Sequence, residues 1–181
     1  MLTLTTERLT IASLTPSDAP HVLAVLNDPD FIANVADRGV RTEEQARSYI
    51  EEGPVASYRE HGFGMYAVRL RDTGEFIGLC GLVKRPQLAD VDIGYGFLPA
   101  ARGRGYAVEA ARAVWDYAVQ ELGFTRLIAI VNPDNAPSIR LLEKLGLTYE
   151  TDVKMAEDEA PIRQYGWNSQ KKGPPKRAAN T

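Results

Sequence analysis

The chain has 181 residues, 44% of them hydrophobic and 25% charged, which is typical of a globular protein large enough to bury a sizeable core. The formal net charge of −3 argues against a dedicated nucleic-acid-binding protein, and a single cysteine, Cys80, excludes an internal disulfide. No apolar run reaches the roughly 18 residues of a membrane span, and no leading segment has the pattern of a signal peptide, so we expect a cytoplasmic protein without membrane contact.

The first half of the chain predicts alternating strands and helices. In order, we predict a strand over residues 7–14, a helix beginning at Ser17 or Asp18, a helix beginning at Thr42, and hairpin strands over residues 63–70 and 76–83. Thr42 and Gln45 have the spacing of a capping box. Gly53-Pro54 is expected to break the second helix, because proline removes a helical hydrogen bond.

The next strand has one well-packed face and one nearly bare face. Val91, Ile93, Tyr95 and Phe97 alternate with small or acidic residues, among them Gly94 and Gly96. Glycines in a strand leave room for a close approach to the backbone. We therefore expect a ligand or another group to lie against this face, and either glycine to form a bulge that parts the sheet.

A basic, glycine-spaced turn, Arg102-Gly103-Arg104-Gly105, follows this strand and leads into a helix with apolar residues at helical spacing from Ala107 to Leu122. A helix start offers unpaired N–H groups and partial positive charge, so the turn predicts a phosphate or pyrophosphate site. A plain strand-to-helix connection is the alternative. The turn is not a dinucleotide fingerprint, because Val108 stands where that motif needs glycine, and the chain has no Gly-Lys-Ser/Thr for a P-loop.

The remaining elements close the chain. We predict a buried strand over residues 127–131, a helix from Asn135 to Gly146, and an antiparallel pair over residues 149–155 and 162–167. Beyond residue 168 the chain is basic and contains prolines. We expect this tail, residues 169–181, to be disordered.

Two motifs carry a resemblance to a known family. The strand and Arg-Gly-Arg-Gly-Tyr-Ala turn resemble the acetyl-coenzyme A motif of the GNAT N-acetyltransferases, in the branch similar to ribosomal-protein-alanine N-acetyltransferases. Residues 132–138, Asn-Pro-Asp-Asn-Ala-Pro-Ser, are similar to the Asn-x-x-Asn-x-x-Ser motif of that branch. The resemblance covers about residues 3 to 168. It implies a single GNAT domain over residues 1–168, an α/β fold with a mixed, mostly antiparallel central sheet of six or seven strands, and helices on both faces.

The resemblance also implies a cofactor site for acetyl-CoA. The strand carrying Phe97 and Leu98 would hold the pantetheine and acetyl arm through backbone groups, and the turn would hold the pyrophosphate. The cofactor-binding residues so implied are Phe97, Leu98, Arg102, Gly103, Arg104, Gly105, Tyr106, Ala107, Asn135 and Ser138. We expect no metal, since no cluster of His, Cys or carboxylate residues has metal-ligand spacing.

Asp92 and Ser138 are the catalytic candidates. Asp92 matches a position that is often acidic in this branch and is expected to act as a base through water or as a structural acceptor. Many relatives carry a general-acid tyrosine where this chain has Leu142. Ser138 is expected to bind the cofactor or to protonate the leaving sulfur, and Glu109 to be structural.

The function predicted from these motifs is direct acetyl transfer from acetyl-CoA to a primary amine, either a protein N-terminus or a small molecule, without an acyl-enzyme. Two alternatives stay open. A module of the same fold could sense acyl-CoA without turnover, which the leucine at position 142 would favour, or the glycine turn could serve another phosphate ligand. A homodimer through an exposed strand edge or the final hairpin is also open.

Overall fold

The computed structural model describes residues 1–169. Within these residues, eight strands form one sheet in the order β1-β2-β3-β4-β5-β6-β8-β7. The strands are β1 (Thr3–Thr5), β2 (Leu9–Ser13), β3 (Met65–Leu70), β4 (Phe76–Val83), β5 (Asp92–Phe97), β6 (Arg126–Val131), β7 (Thr148–Val153) and β8 (Ile162–Asn168). All neighbouring pairs are antiparallel except β5 and β6, which run parallel. The predicted tail, apart from Ser169, lies outside the described residues.

Helices cover both faces of the sheet. They are α1 (Ala19–Leu26), α2 (Pro29–Asn34), α3 (Glu43–Ile50), α4 (Ala56–His61), α5 (Tyr106–Asp116) and α6 (Ala136–Leu145). The buried faces of α1 and α3 pack in one cluster with Ala67 and Leu79 of the sheet. The buried faces of α5 and α6 pack in a second cluster that includes Ile93 and Phe97. The predicted α/β fold, with a mixed, mostly antiparallel sheet between two helical layers, is confirmed.

Local capping explains where the helices begin and end. Thr42 Oγ1 accepts from Gln45 N at 3.1 Å, while Gln45 Oε1 accepts from Thr42 N at 3.2 Å, so the predicted capping box is present. Asn135 caps α6, and Gly146 ends it in the left-handed region at φ 101°. At the two ends of α6, an asparagine side chain and a glycine therefore complete the helix, as the sequence predicted.

Two features differ from the prediction. The sheet has eight strands rather than six or seven, because the three-residue β1 pairs with β2 although it is too short to show a pattern of its own. The expected break at Gly53-Pro54 takes the form of a π-helical segment, Glu51–Val55, between α3 and α4. A wider helical turn accommodates the proline without ending the helical path.

The predicted glycine bulge in β5 is wrong. The β4–β5 register runs without a shift from Asp92 opposite Val83 to Phe97 opposite Gly78. Gly96 instead makes room for a side chain, since a Cβ there would lie 3.0 Å from Cδ2 of Phe31. The gap in the sheet lies where β5 and β6 diverge, and β5 has no kink there.

Candidate functional site

The candidate site lies at the gap where β5 and β6 part. Ile128 N donates to Val91 O at 3.1 Å, and Asp92–Ile128 is the single register pair recorded between these strands within residues 1–169. Backbone groups alternate sides along a strand, so those of Tyr95 point toward β6, as Val91 O does. The gap is therefore bordered by strand backbone on its β5 side.

An ion-pair network joins the strands on the paired side of this gap. Arg126 Nε donates to Asp90 Oδ2 at 2.8 Å, and its two terminal nitrogens contact the Glu150 carboxylate at 2.7 and 2.9 Å. Arg126 is the first residue of β6, and Asp90 precedes β5. Because the arginine is held on both sides, the strands are fastened where they meet and diverge beyond that point.

The basic turn starts α5 with two glycines in the left-handed region. Gly103 has φ 76° and Gly105 has φ 81°, conformations that side chains disfavour. The N–H groups of the first turn of α5, including those of Tyr106 and Ala107, have no partner within the helix. The Arg104 side chain is exposed. This turn combines glycine backbone, a helix N-terminus and a solvent-exposed cation, a combination suited to binding a phosphate group.

A second arginine holds this turn in place from the outside. Arg8 Nη1 donates to Arg104 O at 3.0 Å, and its guanidinium lies 4.4 Å from the centre of the Tyr106 ring. Glu109 accepts from Arg8 Nε at 2.7 Å and from Thr6 Oγ1 at 2.6 Å. These hydrogen bonds outweigh the opposing effect of burial and lower the pKa of Glu109. Glu109 therefore fastens the β1–β2 connection to the start of α5, consistent with the structural role expected for it.

Arg102 is bound to carboxylates in the structure. Its Nη2 lies 2.5 Å from Asp28 Oδ2, its Nη1 lies 2.6 Å from Asp30 Oδ2, and its Nε donates to Phe97 O at 3.0 Å. Asp28 also caps α2 by accepting from Phe31 N at 3.1 Å. The guanidinium thus joins the basic turn to α2, and its predicted contact with a pyrophosphate stays a prediction.

The strand residues expected at the acetyl arm face different clusters. Phe97 is buried at 8% exposure in the cluster of α5, while Leu98 packs against that of α1 and α3. Leu98 N donates to Ile77 O at 2.9 Å, and Phe97 O is the acceptor from Arg102. Both residues lie at the end of β5, and their predicted backbone contacts with acetyl-CoA stay predictions.

Asp92 is 1% exposed at the start of β5 and pairs with an arginine that the sequence did not single out. Arg85 Nε lies 2.9 Å from Asp92 Oδ1. Burial raises the pKa of Asp92, and the nearby guanidinium of Arg85 only partly offsets that effect. The carboxyl is therefore a better proton acceptor than an ordinary aspartate.

The first turn of α6 contacts the end of β5. Asn135 Oδ1 accepts from Ser138 N at 3.4 Å, and Ser138 Oγ lies 2.5 Å from the hydroxyl of Tyr95. Leu142, one turn further along, is 1% exposed and packs in the core. The structure therefore brings Ser138 to β5, whereas position 142 presents no polar group.

Comparison with known proteins identifies the family. A family model described as an acetyltransferase (GNAT) domain matches residues 8–148. The chain belongs to the GNAT acetyltransferase family. The uncharacterized N-acetyltransferase YnaD of Bacillus subtilis (strain 168) is 31% identical over 147 residues, covering 81% of this chain and 83% of YnaD. This GNAT protein is an acyltransferase, as its motifs predicted.

Solved structures agree with this assignment. An acetyltransferase from Agrobacterium tumefaciens str. C58 superimposes with a TM-score of 0.78 and 27% identity, covering 93% of this chain and 95% of that one. RimL, a ribosomal alpha-N-protein acetyltransferase solved with coenzyme A, gives a TM-score of 0.79 at 16% identity, covering 92% and 98%. The latter likeness is one of fold. The resemblance to the ribosomal-protein branch is confirmed at that level.

None of the described helices is long and apolar enough to cross a membrane. Within residues 1–169, no group of three or more His, Cys, Asp or Glu side chains is placed to hold a metal ion.

Sequence reasoning missed three residues that shape the site. The alternation pattern marks Tyr95 only as an apolar position of the strand, and its hydroxyl contact with Ser138 spans 43 positions. Arg8 lies in the Thr6-Glu7-Arg8-Leu9 segment, 101 positions before Glu109. Of the three, only Arg85 is close enough in sequence to its partner for a local pattern to predict the contact. It lies seven positions before Asp92, in the short connection that leads into β5.

Proposed function

We propose that this GNAT protein transfers the acetyl group of acetyl-CoA directly to a primary amine. The observation that carries the proposal is that the glycine turn before α5 and the first turn of α6 both contact β5, the strand that parts from β6: Arg102 Nε donates to Phe97 O, and Ser138 Oγ lies 2.5 Å from the Tyr95 hydroxyl. A pyrophosphate at the turn would leave the pantetheine arm free to run along the backbone of β5 that faces the gap. Coenzyme A has this combination of an anionic end and an extended amide arm.

The binding roles follow from the position of each group. Gly103, Arg104, Gly105, Tyr106 and Ala107 would bind the pyrophosphate through backbone N–H groups and one exposed cation. The end of β5, at Phe97 and Leu98, would border the acetyl arm. Asn135 and Ser138 would border the arm from α6. Arg102 would reach the pyrophosphate only by exchanging a carboxylate partner for it.

The reaction requires two proton transfers. The amine nitrogen forms a bond to the thioester carbonyl carbon, the C–S bond breaks, and its electron pair stays on sulfur. The attacking nitrogen loses a proton, which Asp92 would accept through water, consistent with its raised pKa. The departing thiolate gains a proton, for which Ser138 is the candidate donor.

The amine acceptor is a protein N-terminus or a small molecule. RimL is named as a ribosomal alpha-N-protein acetyltransferase, which supports a protein N-terminus by fold likeness alone. The glycine face of β5, covered by Phe31 of α2, is the side from which we propose that the amine approaches. We also propose that the protein acts in the cytoplasm, and a homodimer stays open.

Thermal unfolding with acetyl-CoA, coenzyme A, ATP and NAD tests the cofactor assignment. A ligand at ~100 times its dissociation constant adds roughly 2.7 kcal/mol to the free energy of unfolding. We expect a rise in the midpoint with acetyl-CoA and coenzyme A only. No shift at millimolar concentration would contradict the proposal, and a larger shift with ATP or NAD would favour another phosphate ligand.

Two glycines make a matched pair of variants for this test. Gly103 and Gly123 have φ 76° and 77°, and a Cβ at either would meet no atom within 4 Å. G103A and G123A should therefore cost the same backbone strain. We expect only G103A to weaken coenzyme A binding, and equal effects would remove the turn from the site.

An amine screen that follows thiol release decides between enzyme and sensor. Release that depends on a particular amine supports transfer. Tight acetyl-CoA binding without release for any protein N-terminal peptide or small amine would favour a non-catalytic acyl-CoA sensor of the same fold.

A further inference from the structure

We propose that Tyr95 is a positioning residue for the leaving thiolate and that it acts through Ser138. This inference rests on the proposed function and extends it, because it assigns a role to a side chain that no motif singled out. It requires that the two hydroxyl groups meet at the gap, that Tyr95 donates to Ser138, and that Ser138 then faces the sulfur.

The two hydroxyl groups meet across the divergence of the sheet. Tyr95 belongs to β5 and Ser138 to the first turn of α6, and their oxygens lie 2.5 Å apart. The Tyr95 hydroxyl also lies 3.5 Å from the Ser138 carbonyl oxygen, so it is directed at that residue by both contacts. Ser138 is half-buried, and its backbone N–H is bound to the Asn135 cap. The serine is therefore held from two sides, by the Tyr95 hydroxyl and by the Asn135 cap.

The chemistry of the two groups decides which one donates. A phenol is a far stronger acid than an alkyl alcohol, so Tyr95 is the better donor and Ser138 the better acceptor. Burial raises the pKa of Tyr95 to about 12, and the Ser138 contact only partly opposes this, so the phenol stays protonated at neutral pH. With its oxygen accepting from Tyr95, Ser138 keeps its own O–H free to donate elsewhere.

The free serine O–H then has the thiolate as its acceptor. When the C–S bond breaks, the sulfur holds the electron pair and takes the Ser138 proton. Ser138 Oγ recovers through solvent the proton that the amine released, while Tyr95 keeps its own proton and holds the serine oxygen through its hydrogen bond. Protons balance, and no oxidant or further reactant is needed. Leu142 is buried and apolar, so β5 supplies the phenol in place of α6.

The thiol of bound coenzyme A reports on this arrangement without any amine acceptor. A free thiol has a pKa of about 8.5. Two hydroxyl groups that stabilise the thiolate lower the pKa of the bound thiol, which ultraviolet absorbance of the thiolate follows during a pH titration. The variants are Y95F, S138A and the double variant, all measured with saturating coenzyme A.

We expect wild-type protein to lower the thiol pKa, S138A to restore it to that of free coenzyme A, and Y95F to reverse the wild-type shift in part. In the double variant, Y95F should add nothing to S138A, because Tyr95 acts only through the serine. Once an acceptor is known, Y95F should lower kcat about tenfold and leave the KM for acetyl-CoA within about twofold.

Tyr58 provides the matched control. Its half-buried hydroxyl accepts from Leu14 N and donates to Met65 O, and neither contact involves Ser138. Y58F should lower the melting temperature and leave the thiol titration unchanged. A Y95F titration identical to wild type, or a Y95F effect that persists in S138A, would overturn the inference. Failure of wild-type protein to bind coenzyme A would instead contradict the proposed function itself.

Discussion

Arg102 holds Asp28 at the start of α2, with Nη2 and Oδ2 2.5 Å apart, and thereby joins the turn of the candidate cofactor site to the helix that covers the glycine face. Asp28 is 6% exposed and also caps α2. The carboxylate therefore serves both elements at once, and an anion at the turn would compete with it for the same guanidinium.

Replacing Asp28 should destabilise the protein far more than replacing its neighbour. D28N removes a buried charge that accepts from Phe31 N and from Arg102, so we expect a loss of about 1–3 kcal/mol in the free energy of unfolding, measured with urea. D30N alters a carboxylate whose side chain is 68% exposed. It should change the free energy of unfolding by less than about 0.5 kcal/mol. Equal losses would show that the buried ion pair between Asp28 and Arg102 adds nothing, because asparagine can still cap α2.

Gly96 and Gly94 should respond differently to alanine. A Cβ at Gly96 would lie 3.0 Å from the Phe31 ring, whereas at Gly94 the nearest atom is Met65 Sδ at 3.9 Å. G96A should lower the free energy of unfolding by about 1 kcal/mol, because the ring must shift. G94A should raise the free energy of unfolding by a few tenths of a kcal/mol, which is about the entropic effect of removing a glycine.

The cause can be tested by removing the ring. In an F31A background, G96A should no longer destabilise the protein, as thermal unfolding would show. A penalty that survives F31A would place the crowding elsewhere in the strand.

Glu109 should make stability depend on pH in the acid range. Its pKa in the folded protein is lowered from 4.5, so the unfolded chain binds more protons as pH falls. Its stabilising effect is complete above pH 4.5 and is lost as the pH falls through the lower folded value. E109Q should cost about 1–2 kcal/mol at pH 7 and nothing at strongly acid pH. A pH-independent penalty would point to packing.

Asp92 should have the opposite effect on how stability depends on pH. Its pKa in the folded protein is raised from 3.8, so the folded state keeps the proton longer than the unfolded chain does. Stability therefore falls as pH rises from about 3.8 through the folded pKa, and D92N should abolish that fall. Urea midpoints of both proteins at several pH values measure the two slopes, and parallel slopes would contradict a raised pKa.

Activity would separate a base from a structural carboxylate at the same position. If Asp92 accepts the amine proton through water, D92N should lower kcat/KM by about 100-fold or more and remove the acidic limb of the pH profile. R85M is the companion variant, because it leaves the carboxylate and removes its 2.9 Å partner. R85M should retain the limb, shifted to higher pH.

Patterns within short stretches predicted most of the fold. The capping box at Thr42, the cap at Asn135 and the glycine end of α6 are local, since each depends on residues within a few positions. Alternation predicted β5, and the glycine turn with its helix predicted the start of α5. A three-residue β1 and a π-helical passage through Gly53-Pro54 escaped because their conformation depends on pairing and packing.

Local patterns predicted the order of most elements, the family and the position of the candidate cofactor turn, because periodicity and caps are properties of neighbouring residues. Only the tertiary structure decided which side chains act together. Arg102 meets Asp28 across 74 positions, and Tyr95 meets Ser138 across 43. Such contacts depend on how strands diverge and helices pack, and no local pattern carries that information.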